Sequence, residues 1–345
     1  MEIETRRQIV LDRFGPPEVM RWDDGPVPPR GPDDVLVAVE AIGVNFGDTM
    51  VRRGEYRREQ PLTFTPGFEV AGRVVEAPAG EDSRGAAGGD PAHGRQPLAP
   101  GTRVVAFTEH GGGYADAVVV PRDHVYTVAD GVDDVTAAGI FTQGVTAWYA
   151  VHRYGRLAAG ETVLVHAAAG GLGGLAVQLA AEHGATTIAT ASTEQKLAIA
   201  REHHGAAHTL ISDPDTLAQQ VRGLTHGRGA DAVIDGVGGP LFTPSLRALA
   251  FNGRYVVAGS ASQAPATLDV RALMPRGQTI AGFVVARVAE QDPAEPQRAF
   301  DAIQERVRAG RLRPQITVLP PEQIAHAHEL IESRRLTGKV VVRLV

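Results

Sequence analysis

The sequence predicts an α/β chain of two lobes, an antiparallel barrel-like lobe followed by a doubly wound parallel sheet of six strands. Three observations predict it. Up to about residue 127, short β-branched runs are punctuated by Gly and Pro, the pattern of a lobe built from many short strands. From Glu161 onward, apolar strand-like runs alternate with helical segments, the pattern of a parallel sheet covered on both faces. The chain is also 345 residues long, more than a single core usually encloses.

In the first lobe the strands are read from DVLVAVEAIGV (Asp34 to Val44), Val70 to Val75, Arg103 to Phe107 and Ala117 to Val120. Between them Ala79 to Pro100 is rich in Gly, Ala and Pro without a hydrophobic period, which predicts a surface loop. In the second lobe the strands are Thr162 to Ala167, Thr186 to Thr190, His208 to Ile211, Ala230 to Asp235, Arg254 to Ala258 and Thr279 to Gly282. Six is the count of two mononucleotide-binding halves. Past Pro293 come a helix (Gln297 to Ala309), a strand (Gln315 to Leu319), a helix (Pro321 to Arg334) and a strand (Lys339 to Leu344). This tail is expected to rejoin the first lobe, so the predicted divisions are 1–127, 128–286 and 287–345.

Composition narrows the partners. A formal net charge of −6 with no basic block argues against nucleic acid or an anionic membrane and for a small molecule. No run approaches the length of a membrane span and Met1 to Val10 carries no apolar signal core, so a cytoplasmic location is expected. The chain has no cysteine, which removes thiolate ligands and nucleophiles together. Among the 12 histidines, His203 with His204 and His326 with His328 stand one and two apart, closer than the three or four that ligands on one helix face want, and no metal site is predicted.

The first strand of the second lobe, TVLVHA, runs into AAGGLGG and then LAVQLAAEH. Leu172, Leu175, Ala176 and Leu179 share one helical face. Strand, tight turn and helix in that order form a dinucleotide-binding turn, with Ala168, Gly170 and Gly173 at the positions of G-x-G-x-x-G. The second glycine lets backbone approach a pyrophosphate, and the third lets the helix pack closely on the strand. About 20 residues on, where an NAD site usually carries an acidic group, stands Ser192, followed by Thr193 and Lys196. Hydroxyls and a cation suit a 2′-phosphate, so NADPH is expected, with Glu194 as the acidic residue that would instead favour NADH. Lysine occurs only twice in the chain, at Lys196 and Lys339.

Taken in order, FGPPEVM, AIGVNFGDTMVRRGEY, PGFEVAGRV, GGGYADAVVV, QGVTAWYA, VHAAAGGLGG, IDGVGG and LTGKVVV resemble the zinc-independent quinone oxidoreductase branch of the medium-chain dehydrogenase/reductase superfamily, which includes zeta-crystallin. The likeness runs nearly end to end. It implies a GroES-like catalytic domain, a Rossmann domain and a homodimer joined along the edge of the cofactor sheet, for which TIAGFVVA (Thr279 to Ala286) is a suitable edge strand. In zinc-dependent relatives the positions of Asn45 and Phe68 carry the ligating Cys and His, so the resemblance implies a metal-free site. It further implies that the nicotinamide lies between the lobes near Asn45, Phe46, Asp48 and Thr146, and that the pyrophosphate rests on Ala169, Gly170, Gly171, Leu172 and Gly173. Ser192, Lys196 and Arg334 would surround the 2′-phosphate, with Gly259, Ser260, Phe283 and Val285 lining the cofactor further in. Ser212 replaces a tyrosine that relatives pack against adenosine.

Without a Lewis acid the acceptor must take hydride unaided, as quinones and α,β-unsaturated carbonyls do. Tyr56 is the candidate proton donor or oxyanion partner, the alternative being a rim aromatic. Asn45 is the candidate amide donor, unless it fixes the turn. Asp48 and Glu69 are expected to satisfy backbone and neighbouring donors rather than act as bases, and His166 to be a hydrogen-bonded structural residue. The alternatives to a quinone or enone reductase are an enoyl-thioester reductase and a dinucleotide-binding protein without turnover.

Overall fold

The computed structural model describes residues 3–56, 62–78 and 98–345. Most of the predicted 79–100 loop lies outside the described residues. The chain divides into two compact units, one formed by residues 1–142, 288–304 and 316–345, the other by 143–287 and 305–315.

The first unit opens with an antiparallel ribbon of β1 (Thr5–Val10) and β2 (Arg21–Pro26). Their charged sequences, TRRQIV and RWDDGP, show no β-branched alternation, which is why the sequence pattern missed them. β3 (Asp34–Val44) is the spine of the main sheet. It leads into α1 (Phe46–Arg53) and then β4 (Glu69–Glu76), β5 (Arg103–Phe107), β6 (Ala117–Pro121) and β7 (Val125–Thr127). Along one edge β3 pairs with β4. Along the other, its first half pairs with β6 and its second half, from Ala41, with the chain's last strand. One eleven-residue strand therefore serves three partners, and Val35, Val37, Val39 and Ile42 carry it into the core with Val70, Val74, Val104 and Val118. The helix α2 (Asp134–Trp148) follows.

The second unit is a six-stranded parallel sheet of β8 (Thr162–Val165), β9 (Thr186–Ala191), β10 (His208–Ile211), β11 (Ala230–Asp235), β12 (Leu249–Val257) and β13 (Thr279–Gly282). The helices between them are α3 (Gly171–Glu182), α4 (Glu194–Glu202), α5 (Leu217–Leu224) and α6 (Phe242–Ala248), and α7 (Val285–Gln291) follows β13. The strand order is β10-β9-β8-β11-β12-β13, the reversal after the first strand that marks a doubly wound sheet. Leu164, Ile188, Val233 and Tyr255, one from each central strand, are fully buried against Leu217, Val221 and Leu246. The apolar run after Thr279 does not stay extended to Ala286: it turns into α7, and Val285, Ala286, Val288 and Ala289 are buried on that helix.

The tail consists of α8 (Glu295–Arg308), β14 (Ile316–Leu319), α9 (Ile324–Glu332) and β15 (Lys339–Arg343). β14 pairs parallel with β15, and β15 antiparallel with β3, making a seven-stranded sheet in the first unit.

Two glycines give the packing a direct test. A Cβ on Gly72 of β4 would lie 1.9 Å from the Ala38 carbonyl oxygen, whereas one on Gly223 of α5 would meet nothing within 4 Å. Gly72→Ala is expected to destabilise by about 3 kcal/mol and Gly223→Ala to stabilise by roughly 0.5–1 kcal/mol. Urea denaturation midpoints with unchanged slopes check both.

Candidate active site

In the first unit the site begins where β3 ends. Asn45 precedes α1, and its backbone N–H donates to Asp48 Oδ2 at 2.7 Å, closing the first turn of the helix. The Asn45 side chain is committed on every side. Its Nδ2 donates to Gly43 O and to Glu69 Oε2, both at 3.1 Å, while Oδ1 accepts from Lys339 Nζ at 2.6 Å. The amide read as a candidate donor thus has protein partners at both of its ends. Lys339 and Glu69 are buried charges, 2 % and 0 % exposed, and such charges require polar partners; Asn45 supplies them to both. Glu69 completes its set by accepting from Lys339 Nζ at 2.8 Å and from the Thr142 N–H at 2.7 Å.

Asp48 has no exposed surface, and its Oδ2 supports the loop by accepting the Asn45 N–H. Phe46, the first residue of α1, is half-buried, and its carbonyl accepts from Thr49 Oγ1. Tyr56 retains 38 % of its surface, with its ring centroid 5.4 Å from that of Phe68. Gly47 lies beneath both: a Cβ there would sit 3.0 Å from Phe68 and 3.7 Å from Tyr56. The glycine lets the two rings close over the helix start. Arg334 is exposed just after α9, with a left-handed backbone (φ 55°).

In the second unit every strand is parallel to its neighbours, so the segments after the strand ends share one edge of the sheet. There stand the 167–173 turn, Ser192, the IDGVGG turn, Gly259 with Ser260, and Phe283. The left-handed residue of the glycine turn is Ala167 (φ 49°), one position before the Ala168 of the predicted fingerprint. Its carbonyl accepts from the Gly170 N–H at 2.8 Å. A Cβ on Gly173 would lie 2.4 Å from Ala167 O and 2.8 Å from His166 O, the close helix–strand approach expected of the third glycine. Gly170 caps α3 with no side chain, leaving the first amides of a twelve-residue helix for a ligand. Leu172 touches Gly236, where a Cβ would stand 3.1 Å from its Cδ2, and Gly236 O in turn abuts Gly259. Ala169 is buried.

Two buried polar groups hold this edge. Asp235 Oδ1 accepts from the Val237 and Gly238 N–H groups at 2.7 and 2.9 Å, and its Oδ2 from the Tyr255 hydroxyl. Ser245 Oγ donates to Leu241 O, so it accepts from His166 Nε2–H, which leaves His166 Nδ1 to accept from Thr190. The imidazole is a neutral fixed tautomer, its pKa lowered by burial. Past β9, Ser192 is exposed, Thr193 caps α4 by accepting the Lys196 N–H at 3.3 Å, and Lys196 is half-buried. Thr146 is half-buried on α2. Phe283 stacks on Tyr154 with centroids 4.6 Å apart, and Val285 is buried in α7.

The charge clamp and the Asp48 cap were signalled only weakly, by a single lysine standing in the otherwise apolar run TGKVVV. Burial pushes the Asp48 carboxyl up to about 7, against the pull of the Asn45 N–H and the Lys339 charge. Between pH 4 and 7 the folded chain thus holds a proton that the unfolded chain releases, so stability falls as pH rises from about 4 to about 7, by about 4 kcal/mol in all, and no further above that. Asp48→Asn keeps an acceptor for Asn45 and cannot ionise. Its melting temperature relative to the parent is expected to rise from pH 5 to about pH 7 and then level off; parallel curves would contradict the assignment.

Comparison with known proteins agrees with this geometry. Residues 31–130 match the alcohol dehydrogenase GroES-like domain and residues 171–305 the zinc-binding dehydrogenase domain. The chain is 32 % identical to quinone oxidoreductase of Sus scrofa, covering 97 % of each, and 31 % identical to that of Pseudomonas aeruginosa, covering 97 % of this chain and 99 % of the relative. Among solved structures, a mycobacterial protein complexed with NADPH superposes with a TM-score of 0.86 at 30 % identity, over 98 % of this chain and all of that one. Escherichia coli quinone oxidoreductase complexed with NADPH gives 0.85 at 25 %, over 99 % and 100 %. The chain belongs to the quinone oxidoreductase family of the medium-chain dehydrogenase/reductase superfamily.

Proposed function

We propose that this protein is an NADPH-dependent, metal-free reductase of quinones or α,β-unsaturated carbonyls. The observation that carries the reading is the 167–173 turn, where a Cβ at Gly171 would run into Gln143 and one at Gly173 into the carbonyls of His166 and Ala167, at the uncapped start of α3 in a sheet of dinucleotide-binding order. Ala169 to Gly173 would hold the pyrophosphate, and Ser192 with Lys196 the 2′-phosphate. The two family members solved with NADPH support the choice of cofactor. When bound, NADPH supplies a hydride.

The chain's own residues orient the acceptor and manage its charge. Tyr56, partly exposed above Phe68, is assigned to bind the acceptor oxygen or give it a proton. The Lys339–Asn45–Glu69 clamp holds the start of α1 beneath it. The metal-free reading has two supports. The chain offers no thiolate, and the Asn45 and Glu69 oxygens that a cation would seek already accept from the Lys339 ammonium at 2.6 and 2.8 Å. Conjugated acceptors fit such a site because they spread the incoming charge themselves. NADPH oxidation measured with quinones, enones and enoyl thioesters in the presence of chelator is expected to show turnover with the first two classes, and NADPH preferred to NADH. Loss of all activity on adding chelator overturns the metal-free reading.

The protein is further proposed to be a homodimer in the cytoplasm. β13 ends the second unit's sheet, with its outer hydrogen-bonding groups facing no described strand, and Phe251, Val270, Met274 and Val284 are 59–74 % exposed in the segments flanking it. Unpaired edges with apolar neighbours invite a second copy. No helix among the described residues is long and apolar enough to cross a membrane. Light scattering at micromolar concentration is expected to return twice the chain mass; a monomer mass rejects the dimer.

A further inference from the structure

The QGVTAW segment of α2 holds Gln143 one turn before Thr146. Its amide is set directly against the start of α3. A Cβ built on Gly171 would fall 1.6 Å from Gln143 Oε1, 2.5 Å from Cδ and 3.0 Å from Nε2. The carboxamide therefore occupies the volume that any side chain at position 171 would need. Gly171 is usually explained by the approach of a phosphate; here it also admits a neighbour's polar group.

That group is not satisfied by the protein. Gln143 Oε1 is buried and has no hydrogen-bond partner among the described residues. A buried carbonyl without a donor is costly, and an apolar side chain of the same length would fill the space without that cost. The amide also stands beside backbone N–H groups that the first turn of α3 leaves without helical partners, because the first helical bond is made by the Gly174 N–H to Gly170 O at 2.8 Å. An acceptor and two side-chain donors beside free backbone donors make a site for a ligand that carries both an anion and hydroxyl groups. A pyrophosphate flanked by ribose is such a ligand.

We infer that Gln143 is a cofactor-contacting residue, its amide completing the pyrophosphate-ribose cradle of the glycine turn. The inference rests on the reading of the chain as a dinucleotide-dependent enzyme and adds a residue to it. Gln143 contributes through the whole carboxamide: Oε1 accepts from a ribose hydroxyl and Nε2 donates to phosphate oxygen.

The test uses the full chain with Gln143→Met, which keeps length and removes polarity, and Gln143→Glu, which sets a carboxylate against the phosphates. The readouts are NADPH dissociation constants by nicotinamide fluorescence, dissociation constants for adenosine 2′,5′-bisphosphate, and melting of the ligand-free protein. Gln143→Met is expected to weaken NADPH about tenfold and Gln143→Glu to weaken it further. Adenosine 2′,5′-bisphosphate, which keeps one ribose and one of the two bridged phosphates, should lose less affinity than NADPH in both variants, and ligand-free Gln143→Met should melt no lower than the parent. NADPH binding unchanged in both variants, or weakened only in step with a fall in melting temperature, overturns the inference alone. A parent protein that binds neither NADPH nor NADH overturns it together with the reading beneath it.

Discussion

A buried ammonium holds the first unit together. Lys339 begins the last strand, and its Nζ meets Glu69 from β4 and Asn45 from the β3–α1 junction, partners 270 and 294 positions away in sequence. With both charges almost wholly removed from water, neither can be left without the other, since an uncompensated buried ion costs several kcal/mol. The arrangement acts as a register constraint. The tail must return, β15 must pair beside β3, and Asn45 must sit where its amide bridges the two charges. Gly43 allows this, because a Cβ there would lie 2.3 Å from Ala138 O and 2.8 Å from Glu69 Oε2. The start of α1, with Tyr56 and Phe68 above it, inherits its position from that clamp.

Much of the fold was legible because burial imposes a period. β3, β5 and β10 have the bounds read from the sequence, and all six parallel strands were found, since strands covered on both faces appear as unbroken apolar runs. Elements that lie half in water left fainter traces. The β1–β2 ribbon is charged on its outer face, and β7 is three residues long. The TIAGFVVA run reads as one strand because apolar content alone does not separate a strand from a buried helix; the chain turns at Phe283, and α7 uses the remaining apolar residues to face inward.

The candidate site divides along the same line. The glycine turn was legible because its function is steric: where backbone or a neighbour must come close, only glycine fits, and that constraint survives as a letter in the sequence. The roles of polar residues were not. Asn45 reads as an amide donor or as a residue that fixes the turn, and nothing in its neighbourhood in sequence announces the bonds it makes to Lys339 and Glu69. Ala167 shows a further limit. A non-glycine residue in a left-handed conformation carries strain that a one-letter code conceals, and it sits where the strand must turn sharply into α3.

The near absence of lysine has a practical corollary. Of 34 basic side chains, 32 are arginine, and of the two ε-amines one, Lys339, is sealed inside the clamp at 2 % exposure. Amine-directed acylation of side chains therefore has one accessible target, Lys196, on the first turn of α4. Any reagent or modifying enzyme that reacts with ε-amines would mark that one turn and no other part of the molecule's side-chain surface, so the protein carries a built-in address for a label.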